Sequence, residues 1–248
     1  ESEDDAELWE RRVERLCGWM KKNGVEYDDT TVEMQMEGGV EAGESCIQRG
    51  IKVVGTRDVS ASFDEPVLLA RVAKSACLSV KNVRAVAERV EKFGLEEQQE
   101  ASLATAIAHE MLLGEASMWH DYLESLPAEG EPVPLLWPEE LLEVLKGTDI
   151  LNRVMEDRKM AAAVWEQAAY PLLVDALGRK RMVSMEEGMQ VFLKGMSFAT
   201  SRAFFVDSEH LEALVPLADM FNHKVAYAPL GASVEGVDSS DDEDGSEE

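Results

Sequence analysis

The chain has 248 residues, 45% of them hydrophobic, so it is long enough to bury a substantial core. Its formal net charge of −26 argues against nucleic acid and anionic membranes as partners, because both require neutralisation of phosphate groups. The acidity is compatible with a basic protein partner, although solubility alone would explain it equally well. Cys17, Cys46 and Cys77 form no CxxC pair, which predicts no metal site and a reducing compartment.

The first elements are predicted to be a helix, a loop and a β region. Apolar residues recur at helical spacing up to Asn23-Gly24, a pair typical of a helix end; they are Trp9, Val13, Leu16, Cys17 and Met20. Residues 28–45 are acidic and glycine-rich, which predicts a loop. A β region follows over residues 46–72 and contains Gly50, where the missing side chain would let a ligand approach the backbone. An ordinary β-bulge is the alternative explanation for this glycine.

From Leu95 the pattern becomes helical. One helix carries its apolar face on Leu103, Ile107 and neighbours, and His109 falls on the polar side, where we expect it to be solvated. The stretch Trp119-x-x-Tyr122-x-x-x-Leu126-Pro127 ends a helix at a proline. Thr148 or Asp149 can cap a helix that runs through Met155, and a separate helix is predicted from Met160 to Trp165.

A further helix is predicted to begin at Ser184, because Ser184 and Glu187 form a capping box. Its apolar stripe, predicted to pack in the core, is Met185, Met189, Phe192, Met196 and Ala199. The helix brings Arg202 to its C-terminal end. Residues 235–248 are rich in acids and are predicted to be a disordered tail or loop.

The stretch from Leu214 to His223 carries the strongest functional signal. A short apolar run is broken by Pro216, which predicts a brief buried strand or turn. Asp219, Asn222 and His223 then follow within five residues. Polar groups in apolar surroundings are typical of small-molecule pockets. The alternative is a buried Asn/His pair that only stabilises a turn.

Ser201-Arg202-Ala203-Phe204, followed by Leu-Val-Pro-Leu-Ala-Asp-Met-Phe-Asn-His, resembles the signature of SET-domain methyltransferases related to the Rubisco large-subunit lysine methyltransferase. The Trp-x-x-Tyr-x-x-x-Leu-Pro stretch resembles a pattern in the helical insert of that family. Gln48-Arg49-Gly50-Ile51 resembles its Gly-x-Gly-Leu strand, with Gln48 replacing the first glycine.

The resemblance implies an α+β fold: a SET-domain β core split by a helical insert, with an N-terminal helix. It predicts an N-terminal helix and first half of the core in residues 1–93 and the insert in 94–185. The second half of the SET domain, with the Asn-His motif, would occupy 186–234, followed by the acidic segment 235–248.

The chemistry implied by the resemblance is transfer of a methyl group from S-adenosylmethionine to a lysine of a non-histone protein. Asp219 would lie on the substrate side, where an anion favours an incoming ammonium. Arg202 would meet the carboxylate of the methyl donor. The residues that would bind this cofactor are Gln48, Arg49, Gly50, Arg202, Asn222 and His223.

The catalytic residue stays unassigned. The catalytic tyrosine of the family lies in a Tyr-Gly motif after the Asn-His turn, and the chain ends at Glu248 before such a motif. Tyr227 follows His223 too closely and has no glycine after it. We therefore expect the C-terminal part of the SET fold and the substrate-binding helical domain to be missing and turnover to be impaired. Val206 replaces the second arginine of the family, so Rubisco is not assumed to be the substrate.

Two other interpretations stay open. One is a non-catalytic SET-like module that binds a protein partner through the helical insert. The other is an unrelated α-rich scaffold in which the Asn-His pair is structural. We expect a monomer whose partner is a lysine-bearing protein, located in the cytoplasm or nucleus, with a plastid as the alternative.

Overall fold

A computed structural model describes residues 3–36, 50–60, 65 and 67–221, with the side chains of residues 3–9 and 36 left out. The predicted site residues Gln48, Arg49, Asn222 and His223 therefore lie outside the described residues, as does the predicted acidic tail. Gly50, Arg202 and Asp219 lie inside them.

Helices dominate the described chain. The α-helices are α1 (Glu3–Lys22), α2 (Arg84–Ala87), α3 (Gln99–Leu113), α4 (His120–Leu123), α5 (Glu139–Leu142), α6 (Asp149–Val164), α7 (Tyr170–Leu177) and α8 (Met185–Arg202). A π-helical segment joins α6 to α7 (Trp165–Ala169). The 3₁₀ turns are Lys74–Ala76, Gly114–Ala116, Pro134–Leu136, Glu143–Leu145 and Ala218–Met220. Among the helices of the described chain, none is both long and apolar enough to cross a bilayer.

The strands form small antiparallel sheets. Strand β1 (Val25–Tyr27) pairs with β4 (Ala70–Val72), and β2 (Val32–Met36) pairs with β3 (Ile51–Gly55). In the third sheet β7 (Leu211–Leu214) lies between β5 (Leu78–Ser79) and β6 (Ala203–Asp207). An isolated parallel bridge joins Val53 of β3 to Phe221. Strand β3 therefore meets the residue that follows the Ala218–Met220 turn.

Helix α3 lies at the centre of the core, and every residue from Ala101 to Glu110 is buried. One side of α3 packs in a cluster with α1 and the strands, and the other contacts Trp165, Leu173 and Phe192. This arrangement corrects the prediction for His109, which is only 5% exposed and whose Nδ1 lies 2.8 Å from Glu110 Oε1. The prediction was wrong because it assumed that α3 has a face in water.

Helix α8 begins as predicted. The Ser184 hydroxyl accepts a hydrogen bond from the Glu187 backbone N–H at 3.1 Å, and the Glu187 carboxylate accepts one from the Ser184 N–H at 3.1 Å. The predicted stripe is buried in part: Phe192 and Ala199 lie in the core, whereas Met185 is 45% exposed. Gly195 allows α8 to pack directly on the backbone of α3. The helix thereby carries Arg202 to the edge of the core.

Two further predictions need correction. The residues predicted to form a loop at 28–45 include a strand, β2, whose Val32 is buried. The helices predicted around Met155 and from Met160 to Trp165 are one continuous helix, α6, which passes through the π-helical segment into α7. Trp165 begins the π-helical segment, and its buried ring stacks on Phe192 at 5.5 Å between centroids and contacts the edge of Tyr170.

Candidate functional site

Arg202 and Asp219 are brought together by the elements that carry them. Arg202 is the last residue of α8, and Asp219 lies in the Ala218–Met220 turn that follows β7. Leu214 and Leu217 are fully buried, so the apolar run around Pro216 anchors this turn in the core. Arg202 Nη1 donates a hydrogen bond to the backbone carbonyl of Asp219 at 3.0 Å and lies 3.8 Å from its carboxylate atom Oδ2.

Two residues that the sequence analysis did not assign complete the cluster. Glu131 accepts a hydrogen bond from Arg202 Nε, and the hydroxyl of Tyr122 donates one to Asp219 Oδ2 at 2.6 Å. Tyr122 belongs to the Trp-x-x-Tyr-x-x-x-Leu-Pro pattern, which was therefore a signal for it. No motif marks Glu131. We call Tyr122, Glu131, Arg202 and Asp219 the buried polar cluster.

The segment that carries Glu131 is held against α8. The Ser197 hydroxyl accepts the backbone N–H of Glu131 at 3.0 Å, and Lys194 Nζ donates to the carbonyl of Ala128 at 2.6 Å. At Gly130 the backbone has φ +85°, and an added Cβ would lie 2.8 Å from Ser197 Oγ. Only glycine therefore fits at this close approach.

Gly50 packs against the residues that follow Tyr122. Its φ is +92°, and an added Cβ would lie 2.9 Å from the carbonyl oxygen of Ser125 and 3.1 Å from Pro127. The next residue, Ile51, donates its N–H to the same Ser125 carbonyl at 3.2 Å. Close packing of protein backbone against protein backbone thus accounts for the glycine on this side.

The buried polar cluster is almost entirely removed from solvent. The side chain of Asp219 is 0% exposed, that of Arg202 11% and that of Glu131 17%. The Oδ1 atom of Asp219 is buried and has no hydrogen-bond partner among the described residues. A buried polar atom without a partner costs free energy, so an unfilled acceptor of this kind is a candidate contact for a ligand.

Burial dominates the titration of the cluster. It raises the pKa of Asp219 to about 6, although the positive charge of Arg202 and the hydrogen bond from Tyr122 both lower it. Burial, together with the negative charge of Asp219, raises the pKa of Tyr122 well above its ordinary value, so its hydroxyl stays protonated. Burial opposes the charge of Arg202, but Asp219 and Glu131 outweigh it and raise the pKa of Arg202.

The charges of the cluster favour a cationic ligand. When both carboxylates are ionised, Glu131 and Asp219 outweigh the single guanidinium of Arg202. The unfilled acceptor Oδ1 belongs to one of these carboxylates. An ammonium group would supply both the missing positive charge and the missing donor.

Solved structures with a similar fold include those of Rubisco LSMT. The chain aligns with the SET domain of LSMT bound to lysine and AdoHcy with a TM-score of 0.64 and 19% identity, over 87% of this chain and 44% of that one. It aligns with Rubisco LSMT bound to sinefungin and monomethyllysine with a TM-score of 0.62 and 19% identity, over 91% of this chain and 46% of that one.

Curated relatives match over shorter segments. A chloroplastic [fructose-bisphosphate aldolase]-lysine N-methyltransferase of Arabidopsis thaliana is 30% identical over 112 residues, 45% of this chain and 22% of the relative. An uncharacterized protein of Schizosaccharomyces pombe is 28% identical over 126 residues, 50% of this chain and 25% of the relative. The matches thus span about a quarter of these relatives. No family model matches the chain.

Proposed function

We propose that this chain, which has the SET-domain fold of the Rubisco LSMT structures, provides the methyl-donor site and the lysine site of a protein-lysine methyltransferase. The observation that carries the proposal is the unfilled acceptor of Asp219 beside Arg202, in a fold whose solved neighbours are bound to lysine and to AdoHcy. The α+β class predicted from the sequence is confirmed by the same likeness.

The residues present fit S-adenosylmethionine as the methyl donor. This molecule supplies a methyl group on a sulfonium centre, and its amino-acid end carries a carboxylate and an ammonium. Arg202 would hold the carboxylate through Nη2, since its contacts to Glu131 and Asp219 within the described residues use Nε and Nη1. We propose that Gln48, Arg49, Gly50, Asn222 and His223 complete the donor site.

Asp219 is proposed to recognise the ammonium of the substrate lysine. A carboxylate beside an amine attracts its charged form, so Asp219 serves recognition and does not remove the proton. Deprotonation of a lysine with a pKa of about 10.4 costs roughly 4–5 kcal/mol at about pH 7. Positioning of the neutral amine against the methyl group supplies much of the remaining acceleration.

The substrate is proposed to be a non-histone protein that presents a lysine in a basic region. The net charge of −26 supports a basic partner, because opposite charges speed the encounter. The chloroplastic lysine methyltransferase among the relatives supports a plastid as one candidate compartment.

The helical insert supports a second candidate, a protein-binding module without catalysis. Large apolar side chains are exposed along α5, α6 and the turn between them: Leu141, Val144, Ile150, Met155 and Met160. A cavity of about 600 Å³ lies between α3, α6 and α8, and Ile150 and Met160 are among the residues that line it. A folded chain that fails to bind S-adenosylmethionine would favour this function.

Calorimetric titration with S-adenosylmethionine tests the proposal. Arg202→Lys keeps the charge beside Asp219 and Glu131 but loses the planar fork of donors, so we expect affinity to fall by about tenfold or more. Arg202→Ala is less suitable, because it would leave two buried carboxylates unpaired and destabilise the fold.

Arg158→Lys is the matched control, since Arg158 also pairs with a glutamate, Glu139, but in the helical insert. It should leave the affinity unchanged. Equal affinity in wild type and Arg202→Lys, with both proteins folded, would overturn the assignment of Arg202.

A further inference from the structure

We propose that Tyr122 is a positioning residue that occupies one oxygen of Asp219 and so presents the other, Oδ1, to an ammonium group of the ligand. The proposal rests on the proposed function for the identity of that ligand, which is either the substrate lysine or the amino-acid end of S-adenosylmethionine. Tyr122 itself contacts neither ligand. It acts through Asp219.

Packing fixes the position of the Tyr122 side chain. Its side chain is fully buried, and its ring stacks on that of Trp19 with 5.8 Å between centroids and 23° between planes. Trp19 is itself held by α1 and donates its indole N–H to the carbonyl of Met118 at 2.6 Å. The hydroxyl of Tyr122 therefore reaches Asp219 Oδ2 from a fixed direction.

The contact with Tyr122 makes the two carboxylate oxygens of Asp219 different. Oδ2 accepts the hydroxyl of Tyr122 at 2.6 Å and lies 3.8 Å from Arg202 Nη1. Oδ1 has no hydrogen-bond partner among the described residues, and the whole side chain is shielded from solvent. A carboxylate held by one oxygen cannot turn to satisfy the other, so its free acceptor keeps one direction.

The charged and titratable groups that face Asp219 come from three segments of the described chain. Tyr122 approaches from α4, Arg202 from α8 and Glu131 from the segment after α4. Arg202 and Tyr122 lower the pKa of Asp219, whereas Glu131 raises it. Cys77 acts electrostatically on Tyr122, and burial raises the pKa of its own thiol.

Tyr122→Phe removes the hydroxyl and keeps the ring on Trp19. Because a hydrogen bond to an ionised carboxylate favours the charged form, its loss should raise the pKa of Asp219 above the wild-type value of about 6. Asp219 must be ionised to receive an ammonium, so ligand affinity should begin to fall at a higher pH than in wild type. A purely structural loss of packing would not move the pH midpoint.

The first measurement is an NMR titration of the Asp219 carboxyl carbon in the free protein, assigned by its disappearance in Asp219→Asn. Tyr170→Phe is the matched control, because Tyr170 is the edge-on partner of Trp165 in the cluster on the other side of α3. We expect the Asp219 midpoint to rise in Tyr122→Phe alone. An unchanged midpoint would overturn the proposal.

If Tyr122→Phe does not fold, 3-fluorotyrosine at all four tyrosines preserves every hydroxyl and makes each a stronger donor. The Asp219 midpoint should then fall below that of wild type. If the Asp219 midpoint does not change, the proposal is contradicted, as it would be by an unchanged midpoint in Tyr122→Phe.

Calorimetry across a pH series identifies the ammonium. S-adenosylmethionine is titrated alone, and lysine is titrated with AdoHcy present. The ligand whose pH profile shifts in Tyr122→Phe is the one that Oδ1 receives, and two unshifted profiles would contradict the proposal. If neither ligand binds wild type, the proposed function fails, while the titration of the free protein still decides the role of Tyr122.

Discussion

Replacing Gly195 with alanine tests the packing that places Arg202. An alanine Cβ at this position would lie 2.6 Å from the carbonyl oxygen of Ala104 and 3.3 Å from its carbonyl carbon and Cα. All three atoms belong to the backbone of α3, which cannot turn away as a flexible side chain would. Helix α8 must therefore move away from α3, and Arg202 at its end must move with it.

The size of the effect follows from two opposing terms. Alanine favours a helix over glycine by about 1 kcal/mol, whereas overpacking of a filled core costs about 1–3 kcal/mol. Because the contact is with backbone and lies well inside van der Waals distance, we expect the steric cost to win. The free energy of unfolding should fall by up to about 2 kcal/mol, the difference between the two terms.

Gly18→Ala is the matched control, because Gly18 also lies within a helix, α1, but an added Cβ there meets nothing within 4 Å. This variant should gain about 0.5–1 kcal/mol. Urea denaturation of both variants measures the difference. A Gly195→Ala protein as stable as Gly18→Ala would refute the direct contact between α8 and α3.

Two further variants test single contacts. Ser184→Ala removes the cap of α8 and should cost about 1 kcal/mol in urea denaturation, and an unchanged midpoint would speak against the capping box. Asp219→Asn tests burial at the site. Since the folded pKa of Asp219 is about 6 and the ordinary value is 3.8, the native state binds the proton more tightly. Wild type should thus lose about 3 kcal/mol of unfolding free energy relative to Asp219→Asn as the pH rises from well below about 4 to well above about 6. A stability difference that is constant over this range would contradict the raised pKa.

Local sequence signals predicted the elements whose ends and faces are set by neighbouring residues. The capping box at Ser184 and Glu187 located the start of α8, and Pro216 located the turn that carries Asp219. Both signals act on backbone within a few residues, so contacts with the rest of the protein do not override them.

Contacts between distant parts of the chain were not predicted from the sequence. His109 was expected in water because it shares the polar side of α3 with Ser102 and Thr105, yet that side is buried too. The hydroxyls of Ser102 and Thr105 donate to backbone carbonyls there, so polar residues line a packed face. Glu131 meets Arg202 across 71 positions, and Tyr122 meets Asp219 across 97. No periodicity within a helix reports such a pair, so the cluster is visible only in three dimensions.

The contacts that Asp219 and Phe221 make with earlier parts of the chain also affect the order in which the protein folds during synthesis. Translation adds roughly 5–20 residues per second, so the hydroxyl of Tyr122 leaves the ribosome about 5–20 s before Asp219 does. Over that interval α1, α3 and α4 can assemble, while β3 still lacks Phe221 beside it. Contacts of such high contact order form slowly, so we expect the polar cluster to close last. A nascent chain stalled before α8 would retain helical structure and still have no site.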